Sequence, residues 1–148
     1  MKQKLLTIAT MLAAVIVLSA TPGFSAVVDT IRANVPFSFM VGHTKLPAGE
    51  YEIIPPNANS LYTLIIRQLN GDRSILATAM PVSLGIGVAP KTELIFDKVG
   101  QDEFLRQVWE RGSQSGDQFF EPKAEREMLA QAGGSVVSHV DGYPVRTR

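Results

Sequence analysis

The chain has 148 residues, with 14 basic and 14 acidic side chains, two histidines and no cysteine. That composition excludes disulfide staples and a lipid-modified N-terminal cysteine, and its balanced charge leaves no electrostatic footprint for nucleic acid. Stability must come from apolar burial, which a single domain of this length can supply.

The first elements predict export. Lys2 and Lys4 precede an apolar run over residues 5–18, interrupted only by Thr7 and Thr10. A bilayer-spanning helix needs about 20 apolar residues, whereas the apolar part of a secretory signal runs roughly 7–15. Thr21, Pro22 and Gly23 then break the helix. Cleavage after Ser25 places Gly23 and Ser25 at the two small-residue positions; cuts after Ala26 or Ala20 are the alternatives. Residues 1–25 are therefore expected to be a signal peptide, and the mature protein to be periplasmic or extracellular and not membrane-spanning. Removing them leaves 123 residues, with 12 basic and 14 acidic side chains and a formal charge of −2.

Residues 31–41 alternate strictly. Ile31, Ala33, Val35, Phe37, Phe39 and Val41 occupy the odd positions, which predicts a strand with one buried face. Pro36, on the polar side, has no amide hydrogen for a ladder and predicts an edge or a bulge. Leu46-Pro47-Ala48-Gly49 reads as a turn, residues 50–54 as a second strand, and residues 61–69 as a third. Asn70-Gly71 predicts a type I′ hairpin into a strand over residues 74–82. Residues 84–91, with Gly85, Gly87 and Pro90, read as a loop. Strands follow at 92–99 and 104–110, joined by a tight turn. Residues 112–116 read as polar and flexible, and Phe119 and Phe120 as the start of one more short strand. A helix over residues 122–132 opens at Pro122 and stops at Gly133-Gly134. The polar stretch 134–148 reads as a flexible tail. The expected domain is thus residues 26–133, mainly β: a small antiparallel β-sandwich or barrel of about six or seven strands with one short C-terminal helix.

Two blocks, VPFSFMVGHTKLPAGEYEI at residues 35–53 and LIFDKVGQDEFLRQVWERG at residues 94–112, resemble a family of small exported β-rich proteins common in acidobacterial genomes. The resemblance implies export and a single β-rich domain. It implies no activity, because that family is uncharacterised.

Chemistry-bearing patterns are sparse. His43 and His139 have no Cys, Asp or Glu at ligand spacing, so no metal site is expected, and no cofactor loop is present: Gly85-Ile86-Gly87 lacks the third glycine and the strand–turn–helix context. No G-x-S-x-G elbow surrounds any serine. Glu93 and Asp97 share a strand face and could form a hydrolase's carboxylate pair, against the plainer reading of a solvated face. Trp109, flanked by Arg106 and Arg111, could stack on and hydrogen-bond an anionic or sugar ligand; the plainer reading is packing. No catalytic residue is assigned. The expected function is a non-catalytic exported envelope or extracellular protein acting by binding or structural interaction, with a small ligand or an envelope partner both left open. The alternative is a secreted hydrolase. An outer-membrane barrel would need about eight strands of 9–11 residues with an apolar outer band.

Overall fold

A computed structural model of the protein describes residues 29–55 and 62–145; the expected signal peptide and its cleavage site lie outside the described residues. Among those described there are ten strands and one helix. The strands are β1 Thr30–Val35, β2 Phe39–Val41, β3 Thr44–Leu46, β4 Gly49–Ile54, β5 Thr63–Gln68, β6 Ser74–Ser83, β7 Glu93–Val99, β8 Asp102–Trp109, β9 Ser115–Phe119 and β10 Val136–Val145; the helix, α1, is Lys123–Ala132. Eight strands close an antiparallel barrel in the order β1-β4-β5-β6-β9-β8-β7-β10, and β10 returns to β1. The β2–β3 hairpin attaches to the outer edge of that ring through β8. The architecture is therefore the barrel, not the sandwich, and it has more strands than six or seven.

The expected first strand is two strands. Ile31, Ala33 and Val35 face the core from β1, and Phe39 and Val41 do so from β2, so the two-residue period survives. Between them Pro36 cannot donate to a ladder, and the chain changes partners there, from β4 and β10 to β3 and β8. The core is packed by rings meeting edge to face. Phe39 lies 5.1 Å from Tyr51 and 5.4 Å from Phe96, and Phe37 lies 5.2 Å from Phe96, between centroids. The Tyr51 hydroxyl donates to the Pro47 carbonyl at 2.7 Å and so ties down the Leu46–Gly49 turn.

Four further expectations are corrected. The β5–β6 hairpin forms, but neither Asn70 nor Gly71 adopts a positive φ, so the turn is not type I′. The connection is wider, with Gln68 N–H donating to Arg73 O. A Cβ at Gly71 would meet only the end of the Gln68 side chain, 2.5 Å from its Oε1, which can swing aside. Residues 115–116 are strand, not flexible loop, because β9 pairs with both β6 and β8. On β8 the simple alternation breaks. Phe96 pairs with Leu105 and Ile95 with Gln107, so Arg106 is an extra, bulged residue, and Leu105 and Val108 both point inward. The domain does not end at residue 133. Residues 136–145, expected as tail, form β10 between β1 and β7, where Val140 enters the core. Its polar sequence hides this, because one face is solvent. Gly142 also lies where a Cβ would come 3.1 Å from Ile31 Cγ2.

The interior is mainly apolar and the outer wall carries charged clusters. Glu52 on β4 is flanked in register by Arg32 on β1 and Arg67 on β5 and ion-pairs with both. Such a triad is foreign to the apolar outer band of a lipid-facing barrel, and no described helix is long and apolar enough to cross a membrane.

Candidate binding cleft

One edge of β8 carries two different neighbours. Its first half, at Glu103 and Phe104, pairs in parallel with β2; its second half, at Gln107 and Val108, pairs antiparallel with β9. The Arg106 bulge lies between them. On the far side of β9, β6 is paired only from Ala79 to Ser83, so residues 74–78 have β5 on one edge and no described strand on the other. The β2–β3 hairpin lies across from that bare edge. It turns through two residues, Gly42 at φ 58 and His43, with glycine at the first central position as a type II′ turn requires.

Between hairpin and β6 lies a half-open cleft of about 500 Å³. Gly42, His43 and Thr44 form one wall, the 75–78 stretch of β6 the other, and residues 119–122 one end. Ile75, Ala77 and Phe119 belong to or pack on the core, whereas Leu76 is 74% and Phe120 54% exposed at the rim. A second groove, of about 170 Å³, shares Gly42, His43 and Pro122 with the first and runs under α1, past Met40, Phe104 and Met128.

The helix α1 covers this second groove without an apolar stripe. Its only buried residue is Glu125, and Pro122 is its N-cap rather than its first residue. Arg106, turned outward by the bulge, donates from Nε to Asp97 Oδ2 at 2.6 Å and from Nη2 to Glu125 Oε1 at 2.6 Å and Glu121 Oε1 at 3.3 Å. Burial pushes the Glu125 carboxyl up to about 7, against the pull of Arg106 and with the help of Glu121 and Asp97. Glu52 is shifted the other way, since the hydrogen bonds from Arg67 and Arg32 outweigh its burial.

The three residues singled out by sequence are not brought together. Arg106 is spent on the carboxylates under α1. The Trp109 ring lies over Gly116 of β9, where an added Cβ would come 2.6 Å from Cδ2, and its indole N–H donates to Gln107 Oε1 at 2.9 Å. Trp109 is buried but outside the main core cluster, and Arg111 is exposed, its backbone N–H donating to Thr92 Oγ1. The two carboxylates proposed for a hydrolase are likewise held apart. Asp97 belongs to Arg106, and Glu93 Oε2 lies 2.9 Å from Lys91 Nζ and 2.8 Å from His139 Nδ1. Among the described residues no three His, Asp or Glu side chains are disposed to hold a metal. The cleft residues Leu76, Phe120 and Thr78 carried no signal in the sequence beyond apolar residues on both faces of β6, since only the topology shows that β6 is left half-paired. His43 was visible as a loop histidine; that its turn walls a cleft was not.

The fold and cleft together define a small closed β-barrel with a filled interior and a half-open seam. Compared with known protein families, curated proteins and solved structures, the chain matches none.

Proposed function

We propose that the protein is exported and acts by binding, with the seam cleft between β3 and β6 as its site. The observation that carries this reading is the cleft itself: about 500 Å³, apolar at its floor and edged by the exposed side chains of Leu76 and Phe120. Specific ligand sites are concave, of a few hundred Å³, with apolar walls and a small number of polar groups. Here His43, Thr44 and Thr78 supply the polar groups. Export is supported by the charged, apolar and helix-breaking segments of residues 1–25 and by the acidobacterial resemblance. Binding rather than catalysis is supported by the carboxylates, which are engaged with cations at separate places on the outer wall.

Native mass spectrometry of the protein purified from its own host tests the proposal, alongside Ala77→Phe, which fills the cleft floor. The expected result is a co-purified mass on the wild type that is lost in the variant. Wild type and variant purifying equally bare would overturn it.

A further inference from the structure

The seam is bounded by main chain as well as by side chains. Ala79 N–H donates to Tyr62 O on the β5 side of β6. Along a strand the peptide groups alternate between the two edges, so the N–H and C=O groups of Leu76 and Thr78 point the opposite way, toward the cleft. On the facing side, Thr44 and Leu46 sit opposite Val41 and Phe39 within the β2–β3 hairpin. The Lys45 carbonyl points outward, and Arg73 Nη1 reaches it at 3.5 Å. Among the described residues no strand lies between β3 and this edge of β6; the cleft between them is walled on the hairpin side by residues 41–44, and Lys45 adjoins it through Arg73. Exposed strand edges are templates for another chain, and proteins that do not use them blunt them with charge, proline or a covering element. This edge of β6, Ser-Ile-Leu-Ala-Thr over residues 74–78, carries neither charge nor proline.

We infer that the cleft takes an extended segment of another polypeptide as an added strand. This rests on the binding reading above and names its ligand class. The incoming segment pairs its main chain with Leu76 and Thr78 on β6 and with the outward peptide group of Lys45 on β3. Every second side chain points inward onto Ile75, Ala77 and Phe119; alanine at 77 leaves that volume free. The intervening side chains lie outward, beside Leu76 and Phe120. A ligand that satisfies both edges must itself alternate amide donors and acceptors at strand pitch, which is the chemistry of a polypeptide and not of a sugar or a fatty acid. Because β3 and β6 run antiparallel to each other around the ring, a single inserted strand is parallel to one and antiparallel to the other.

The test screens full-length mature protein against acetylated heptapeptide amides that carry Val, Leu, Phe or Tyr at odd positions and Thr or Ser at even ones. Binding is read by NMR amide shifts and hydrogen exchange. Binders are expected to shift and protect the Leu76, Thr78 and Lys45 amides, and to weaken at least tenfold when the amides on one edge are N-methylated. Thr78→Pro removes a donor from the open edge without taking a bond from β5, and is expected to weaken binding similarly. Should that variant fail to fold, the methylated peptides still decide with wild-type protein. An absence of binders from the library overturns strand addition, as does binding indifferent to N-methylation; the latter leaves the cleft as a site for another ligand class. Self-association through the same amides, seen as concentration-dependent shifts without peptide, would overturn it in favour of a second copy as the occupant.

Discussion

Asp117 offers a direct reading of what the barrel interior does to a charge. It lies on β9 opposite Val108 of β8 and Pro81 of β6, on the inward side it shares with Phe119, and is 7% exposed. Burial, as the sole cause, pushes its carboxyl from an ordinary 3.8 up to about 6. Below the unfolded value both states hold the proton and the residue contributes nothing. As pH rises from 3.8 toward 6 the unfolded chain releases its proton while the folded one keeps it, so stability falls. Between about pH 4 and about pH 7.5 the loss amounts to about 2.5 kcal/mol. Asp117→Asn cannot ionise. Its buried amide costs something, but that cost is the same at both pH values and cancels in the comparison. The stability of the variant relative to wild type should therefore rise by about 2.5 kcal/mol across that interval, or about 8–12 °C in Tm. Urea unfolding followed by the fluorescence of Trp109, the only tryptophan, measures it. A relative stability that does not change with pH would refute the argument that Asp117 is held in a dry interior.

Three further changes probe separate contacts. Gly116→Ala places a Cβ 2.6 Å from the Val108 carbonyl and 2.6 Å from Trp109 Cδ2; because the carbonyl belongs to the paired β8, the cost should reach about 3 kcal/mol in denaturant unfolding, with a shifted tryptophan emission. Arg106→Ala strands Asp97, Glu121 and Glu125 without their shared cation and should cost about 3–5 kcal/mol, with helical signal lost before the sheet melts; hydrogen exchange across residues 123–132 would show the order. Glu52→Gln should destabilise by about 1–3 kcal/mol at neutral pH. Since the Glu52 carboxyl is held below its ordinary 4.5, its contribution is present above that value and lost as pH falls through the lowered one, so wild type and variant should converge in acid melts.

The strands that were legible in the sequence are those with one clean buried face. Residues 31–41 showed their inward side because Ile31, Ala33, Val35, Phe39 and Val41 all reach the core, even across the break at Pro36. What failed was whatever depends on partners distant in sequence. β10 has one buried apolar residue, Val140, and is held by ladders to β1 and β7 rather than by a hydrophobic pattern. The Arg106 bulge follows from β7 and β8 meeting out of step between Ile95 and Phe96, which no property of residues 104–110 alone announces. Asn70-Gly71 carried the right hairpin for the wrong reason, because the connection forms with no positive φ at either residue. The cleft is invisible for the same cause: each strand that walls it is ordinary, and only the order of pairing leaves β6 half covered.

The bulge links the features that distinguish this barrel. By adding one residue to β8 it separates the stretch that pairs with β2 from the stretch that pairs with β9, and so creates the place where two strands replace one. The same extra residue turns the Arg106 side chain outward beside Asp97, where it anchors Glu121 at the end of the cleft and Glu125 on the helix. The helix has no other buried residue with which to hold its position. Seam and helix are thus not independent decorations on a closed ring. Both adjoin one bulged residue, and a ligand that fills the cleft from His43 to Pro122 meets the segment whose Glu121 pairs with its side chain.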